Sequence, residues 1–228
     1  MKTRTTLIFF CIILFNSYAC AIEMTESILP KGFVYLEDVD STIHQKVSFF
    51  TNENILGVPA DGYEAKRIIC TKEAALALQK VQKELKKQGL CLSIWDAYRP
   101  ERAVKHIQRW ARDLKDQKTK ALYYPDMSKE EILGTFVAAK KSSHSRGSTV
   151  DLIILNDRTR EPLDFGPRTF GEASFSYSSK ITKKQQQNRL MLRKIMMVHG
   201  FKPYNKEFWH FTLKNEPFPK TYFDFPVK

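Results

Sequence analysis

Two histidine–carboxylate pairs carry the residue types and spacings of hydrolytic metal chemistry: His144 with Asp151, and Glu207 with His210. The first pair lies in SSHSRGSTVDLIIL, Ser142 to Leu155, on either side of Gly147. Seven extended residues span about 23 Å. Two ligands of one ion, each about 2 Å from it, need donor atoms within about 4 Å of each other. A shared ion therefore requires the chain to fold back, and Gly147 can turn it without steric penalty. On the apolar strand that follows, Asp151 alternates out of the apolar set and points to a cleft. A surface hairpin with an exposed acid explains the segment equally well.

The second pair lies in KEFWHF, where Glu207 and His210 stand three apart. They meet if the backbone makes one tight turn there, or if a turn precedes a strand that carries His210. A zinc ion acidifies water, and a carboxylate beside a ligating histidine can take the proton as that water attacks. A structural glutamate with a histidine packed beside Trp209 is the alternative. A third segment, WDAYRP, fixes Arg99 between a strand end and Pro100. There it either stabilises an oxyanion or forms a structural pair with Asp96. Two histidines and one aspartate would leave the fourth zinc position open, as catalytic sites require. The other histidines, His44, His106 and His199, are read as structural.

The elements that must position these residues follow from pattern. Thr71 caps a helix through KEAALALQKVQKELKKQG, with Leu78, Val81 and Leu85 on one face and Gly89 as its stop. LCLSIW alternates as a strand, and Pro100 opens a second helix with Val104, Ile107, Ala111 and Leu114 as its stripe. Ser128 and Glu131 form a capping box for a third helix, expected to run to about Ala139. VDLIIL and EFWHFTL read as strands, with a helix through QQQNRLMLRKIMMVHG between them. Without a regular βαβ rhythm, this order predicts an α+β fold with a mainly antiparallel central sheet and flanking helices.

The chain opens MKTRTTLIFFCIILFNSYACAIE: a basic start, an apolar run from Leu7 to Phe15 and a small-x-small site at Ala19 to Ala21. That layout predicts a signal peptide over 1–21, too short in its apolar part to span a membrane. The expected product is an exported, periplasmic protein of about 207 residues, 22–228, forming one domain without stable membrane insertion. Its charge falls from +12 to about +10, and the basic residues are spread rather than clustered, which argues against nucleic acid. Cys70 and Cys91 remain, and an oxidising compartment would permit them to pair.

Taken together, these segments resemble the D-alanyl-D-alanine dipeptidases, zinc peptidases of vancomycin resistance and cell-wall turnover. SSHSRGSTVDL resembles the family's S-x-H-x-x-G-x-x-x-D signature, EFWHF its E-x-W-H and WDAYRP its arginine motif. The likeness runs from GVPADGYEAKRI to the closing YFDFPVK. It implies one zinc ion per chain, held by His144, Asp151 and His210. It also implies Glu207 as general base and proton donor, and Arg99 as transition-state stabiliser. The implied fold is the zinc-peptidase fold shared with D,D-carboxypeptidases and the Hedgehog signalling domain. The implied substrate is free D-Ala-D-Ala in a small closed pocket, with Ser142 helping to line it. One departure concerns the substrate ammonium: Gly171, not an acid, follows Phe170, so Glu172 or Asp164 is the expected replacement. Two rivals remain: a D,D-carboxypeptidase or peptidoglycan endopeptidase with the same metal site, and a zinc-bearing binding module without catalysis.

Overall fold

The computed structural model describes residues 29–228; the expected signal peptide lies outside them. From its start the chain runs through β1 (Phe33–Tyr35), the one-turn α1 (Leu36–Val39) and β2 (His44–Gln45) to β3 (Ile69–Thr71). Next come α2 (Lys72–Lys86), β4 (Leu90–Asp96), α3 (Glu101–Arg112), and two short turns, α4 (Lys120–Tyr123) and α5 (Lys129–Ile132). The last part holds β5 (Thr149–Asn156), α6 (Lys183–Val198), β6 (Phe201–Tyr204) and β7 (Glu207–Leu213). Lys31–Lys228 makes one compact unit. Among the described residues no helix is long and apolar enough to cross a membrane.

The architecture is α+β. Five strands lie in the order β2-β4-β5-β7-β6, and β1 pairs with β3 in a separate ribbon. The sheet is mixed rather than purely antiparallel: β2 runs parallel to β4, and the other three pairings are antiparallel. The parallel edge arises because a long crossover through β3 and α2 separates β2 from β4. Side chains alternate across β5. Val150, Leu152 and Ile154 are fully buried on one face, beside Leu92 and Ile94 of β4. Asp151, Ile153 and Leu155 take the other face, which fronts two cavities.

Local signals explain most element boundaries. Thr71 Oγ1 accepts the Ala74 amide at 3.3 Å and starts α2, which buries Leu78, Val81 and Leu85. Gln82 is buried on the same helix because its amide bridges Thr42 and the Leu92 amide of β4. Pro100 precedes α3, whose Val104, Ile107 and Ala111 are buried; Leu114 lies past the helix and is half exposed. The expected third helix forms its Ser128–Glu131 capping box but stops at Ile132. Gly134 adopts φ 91°, turning the chain back so that residues 134–138 line a cavity instead of extending the helix. Buried Lys129 fixes this turn to α3: its ammonium donates to the Trp110 and Asp113 carbonyls, both at 2.8 Å. Cys70 and Cys91 are both free and buried, so the permitted disulfide is absent. Burial alone pushes the Cys70 thiol up to about 12.

Candidate metal centre and active site

His144 sits in the 3-10 turn Ser143–Arg146, which Ser142 caps by accepting the His144 amide at 3.4 Å. Gly147 ends the turn at φ 83° and delivers the chain into β5. The backbone reverses there, as a shared ion required. Any Cβ on Gly147 would collide with the Phe33 ring. Gly147→Ala therefore combines a left-handed backbone cost with overpacking, and denaturant unfolding should show a loss of about 3 kcal/mol.

The Phe33 ring belongs to an aromatic cluster with Tyr98, Phe218, Phe223 and Phe225, which seats the C-terminal segment over the turn. Phe223 donates its amide to Ser145 O at 2.9 Å, and Glu216 accepts two hydrogen bonds from Arg146, each 2.8 Å. The residues following β7 thus hold the His144 turn from outside.

Asp151 and His210 meet by strand register. They are direct partners on antiparallel β5 and β7, and such partners share a face. Glu207 opens β7 just after the two-residue turn from β6, where the register shifts between Pro203 and Tyr204. On a regular strand residues three apart face opposite sides. At this irregular end Glu207 Oε2 instead lies 3.3 Å from His210 Nδ1. Of the two sequence alternatives, a turn preceding the strand is the one found.

Three side chains converge, with one donor atom from each within 4.8 Å of the others. His144 Nε2 lies 3.4 Å from His210 Nδ1 and 3.3 Å from Asp151 Oδ2, and His210 Nδ1 lies 3.1 Å from Asp151 Oδ1. A tetrahedron with 2.0–2.1 Å bonds has edges of about 3.3 Å; each imidazole lies that close to one Asp151 oxygen, Nε2 of His144 to Oδ2 and Nδ1 of His210 to Oδ1, so the group could hold one ion. The donor chemistry fits as well. His144 Nδ1 donates to the Ala97 carbonyl at 2.8 Å, which fixes the tautomer and leaves the Nε2 lone pair facing the cluster. Asp151 Oδ1 is buried without a hydrogen-bond partner, an orphan that a cation would satisfy.

Burial disfavours the His210 cation, but the Asp151 and Glu207 carboxylates beside its Nδ1 outweigh it and raise the imidazole to about 9. Burial likewise opposes the Asp151 anion, yet His144 and His210 hold it well below the usual carboxylate range. A metal must displace the His210 Nδ1 proton. Acid therefore competes with the metal, and affinity should climb with pH through neutrality and level off above about 9. Titration with zinc near neutral pH in buffers of different ionisation enthalpy should register about one proton released per ion bound.

Arg99 follows β4 and is nearly enclosed. Its Nε and Nη2 reach Asp96 Oδ2 at 2.8 and 2.6 Å, Nη2 lies 3.5 Å from Asp151 Oδ2, and its guanidinium covers the Phe49 ring. Burial opposes the charge, but Asp96, Tyr63 and Asp151 raise Arg99 above its ordinary range. Arg99 pairs with Asp96, as the structural alternative expected, and also faces the cavity.

That cavity, about 500 Å³, is bounded by Arg99, Ser142, Phe136, Phe170, Tyr204 and Trp209 together with the metal-type cluster and Glu207. Glu172 and Asp164 do not line it. Glu172 is turned outward onto Ser179 and Lys180, and Asp164 accepts from Gln185 and the Gly166 amide. Each is drawn away by a local donor that its sequence spacing did not reveal. The other histidines are engaged elsewhere: His44 with Ser93, His106 with Asp61, His199 with Glu84.

Two contributors go beyond the sequence reading, which had Asp96 only as a partner of Arg99 and did not have Tyr204. Buried Asp96 aligns Arg99, accepts from the Tyr63 hydroxyl at 2.5 Å and lies 3.5 Å from His144 Nδ1. Tyr204 packs edge-on to His210 and donates to the Thr135 carbonyl at 3.3 Å, tying β6 to the 134–138 wall. The WDAYRP motif contained Asp96, but nothing in the sequence connects Tyr63 or Tyr204 to it.

Two imidazoles and a carboxylate with a second carboxylate beside them, in an α+β fold fronting a cavity, define a candidate metal-dependent hydrolase. The family model described as D-ala-D-ala dipeptidase matches residues 30–228, and the chain belongs to that family. A D-alanyl-D-alanine dipeptidase of Enterococcus faecium is 40% identical over 199 residues, covering 86% of this chain and 98% of the relative. One from Streptomyces coelicolor is 38% identical over 197 residues, again covering 86% and 98%. One from Escherichia coli is 32% identical over 153 residues, covering 66% and 69%.

Proposed function

We propose that the protein hydrolyses free D-alanyl-D-alanine to two D-alanines, using one zinc ion held by His144, Asp151 and His210. The observation that carries this reading is the convergence of those three donors at 3.1–3.4 Å with Glu207 beside them. Family membership and relatives bearing that activity support it. A bound zinc ion would supply Lewis acidity to the peptide carbonyl and to the attacking water. Glu207, at 3.3 Å from His210, accepts the water proton and returns it to the leaving amine. Asp96 engages Arg99 through Nε and Nη2, leaving Nη1 to donate to the developing oxyanion. Ser142 contributes to the cavity wall.

The α+β frame is read as the zinc-peptidase fold shared with D,D-carboxypeptidases and the Hedgehog signalling domain. Residues 1–21 are read as an export signal, which places the mature enzyme in the periplasm, where it meets dipeptide released by wall turnover. Recycling therefore suits it better than antibiotic resistance.

One observation favours a second reading. Among the described residues lining the cavity, the only carboxylates are Asp151 and Glu207, so no further acid is offered to a free ammonium. A D,D-carboxypeptidase, whose substrate has no free amine at that point, needs none. The deciding assay offers the zinc-loaded protein D-Ala-D-Ala and a stem pentapeptide ending in D-Ala-D-Ala. Cleavage confined to the dipeptide supports the dipeptidase; preference for the pentapeptide selects the rival.

A further inference from the structure

The sheet face that carries Asp151 continues past the catalytic cavity into a second cleft of about 390 Å³. The two are separated by Trp209, lining the first, and Trp95, lining the second, with ring centroids 6.4 Å apart. The floor of the second cleft is apolar: Trp95, Ile153, Leu155, Leu163 and Phe165. Its rim is basic, with Lys46, Arg160 and Arg168.

The rim charges are not equivalent. Lys46 is matched by Glu53 at 2.8 Å, and Asp164, the cleft's one acid, is occupied by Gln185 and the Gly166 amide. Arg168 stacks on the Trp95 ring, its guanidinium carbon 3.9 Å from the centroid, and has no ion-pair partner among the described residues. Stacking orients a guanidinium while leaving its in-plane donors free for a planar anion.

Arg160 adds an independent observation. It is the one non-glycine residue among those described with positive φ, at 62°, in the turn that follows β5. Left-handed backbone is costly for an arginine and free for a glycine. Its amide closes the turn by donating to the Asn156 carbonyl at 3.0 Å, while its side chain has only Cys91 Sγ at 3.3 Å and Asp157 at 3.6 Å, the latter already held by Lys86 at 2.7 Å.

We propose that this cleft is a second binding site, for a small carboxylate with an apolar body. Arg168 and Arg160 hold the carboxylate, and Trp95, Leu155 and Phe165 hold the body. The site is independent of the hydrolytic reading and stands or falls without it.

The test uses 3-phenylpropionate and its uncharged amide, titrated calorimetrically into the zinc-loaded protein. The acid is expected to bind more tightly than the amide by about tenfold or more, the scale of a charge-assisted hydrogen bond. Arg168→Gln and Arg160→Gly should each remove most of that preference. Arg160→Gly should do so with Tm unchanged or raised, because glycine relieves the left-handed strain. In a Glu207→Ala background, which prevents turnover, saturating D-Ala-D-Ala should not displace the probe. Equal binding of acid and amide, absence of binding, or affinity unmoved by both arginine substitutions would overturn the proposal. Displacement by D-Ala-D-Ala would also overturn it, by placing the probe in the catalytic cavity.

Discussion

Glu207→Ala should lower kcat on D-Ala-D-Ala by about a thousandfold, within the 10²–10⁴ range of general acid–base catalysis, while zinc stays at one per chain. The expectation rests on position. Glu207 Oε2 approaches His210 Nδ1 at 3.3 Å, yet among the described residues only His144, Asp151 and His210 have donor atoms all within 4.8 Å of one another. On the proposed reading, removing Glu207 takes away the proton acceptor without opening the ligand set. The metal should bind at lower pH in this variant, because Glu207 helps to hold the competing proton on His210. Steady-state kinetics with metal analysis of the same sample checks both halves. Near wild-type turnover would remove Glu207 from the proton-transfer role, and co-purified zinc falling with activity would make it a ligand.

His210→Ala should have the larger effect on the metal. Partners that merely orient a ligand are worth 10–100-fold in metal affinity, so loss of a ligand should exceed about a hundredfold. Activity should vanish with the zinc. The variant also leaves Asp151 and Glu207 without the imidazole between them, so in the absence of metal its stability should fall most where the wild-type ring is protonated. The sign follows from linkage. A histidine raised from 6.5 to about 9 contributes fully below about 6.5, and that contribution is lost as pH rises through 9. The stability gap between wild type and variant should therefore narrow from neutral to alkaline pH. Urea unfolding of the chelated proteins at several pH values measures this.

The site was largely legible because its residues obey rules of local chemistry. Gly147 marked the reversal between His144 and Asp151, since left-handed backbone is costly for other residues. Strand alternation put Asp151 on the opposite face from Val150 and Leu152. The approach of Glu207 to His210 depended on an irregular strand end, which spacing left open between two solutions. Long-range partners were not legible at all. Tyr63 reaches Asp96 across 33 positions, and Gln82 is buried to bridge β4 and the Thr42 loop. The expected residues that do not line the cavity have the same origin. Glu172 and Asp164 stand in the right stretch of sequence, but Lys180 and Gln185 claim them. The third helix began where its capping box said and ended early, because Gly134 turns and Lys129 is drawn to the end of α3.

The fold was legible in class and less so in detail. Periodicity found α2, α3, α6, β4, β5 and β7, whose apolar faces are long enough to leave a pattern. The two-residue β2 is too short to leave one, and it alone turns the sheet from antiparallel to mixed.

The central claim is that one metal ion sits among His144 Nε2, Asp151 and His210 Nδ1. Anomalous diffraction at the zinc edge from zinc-soaked crystals tests it most directly. The account predicts a single strong peak within about 2.0–2.2 Å of all three side chains. A peak held by other residues, or none at full zinc occupancy in solution, would contradict it.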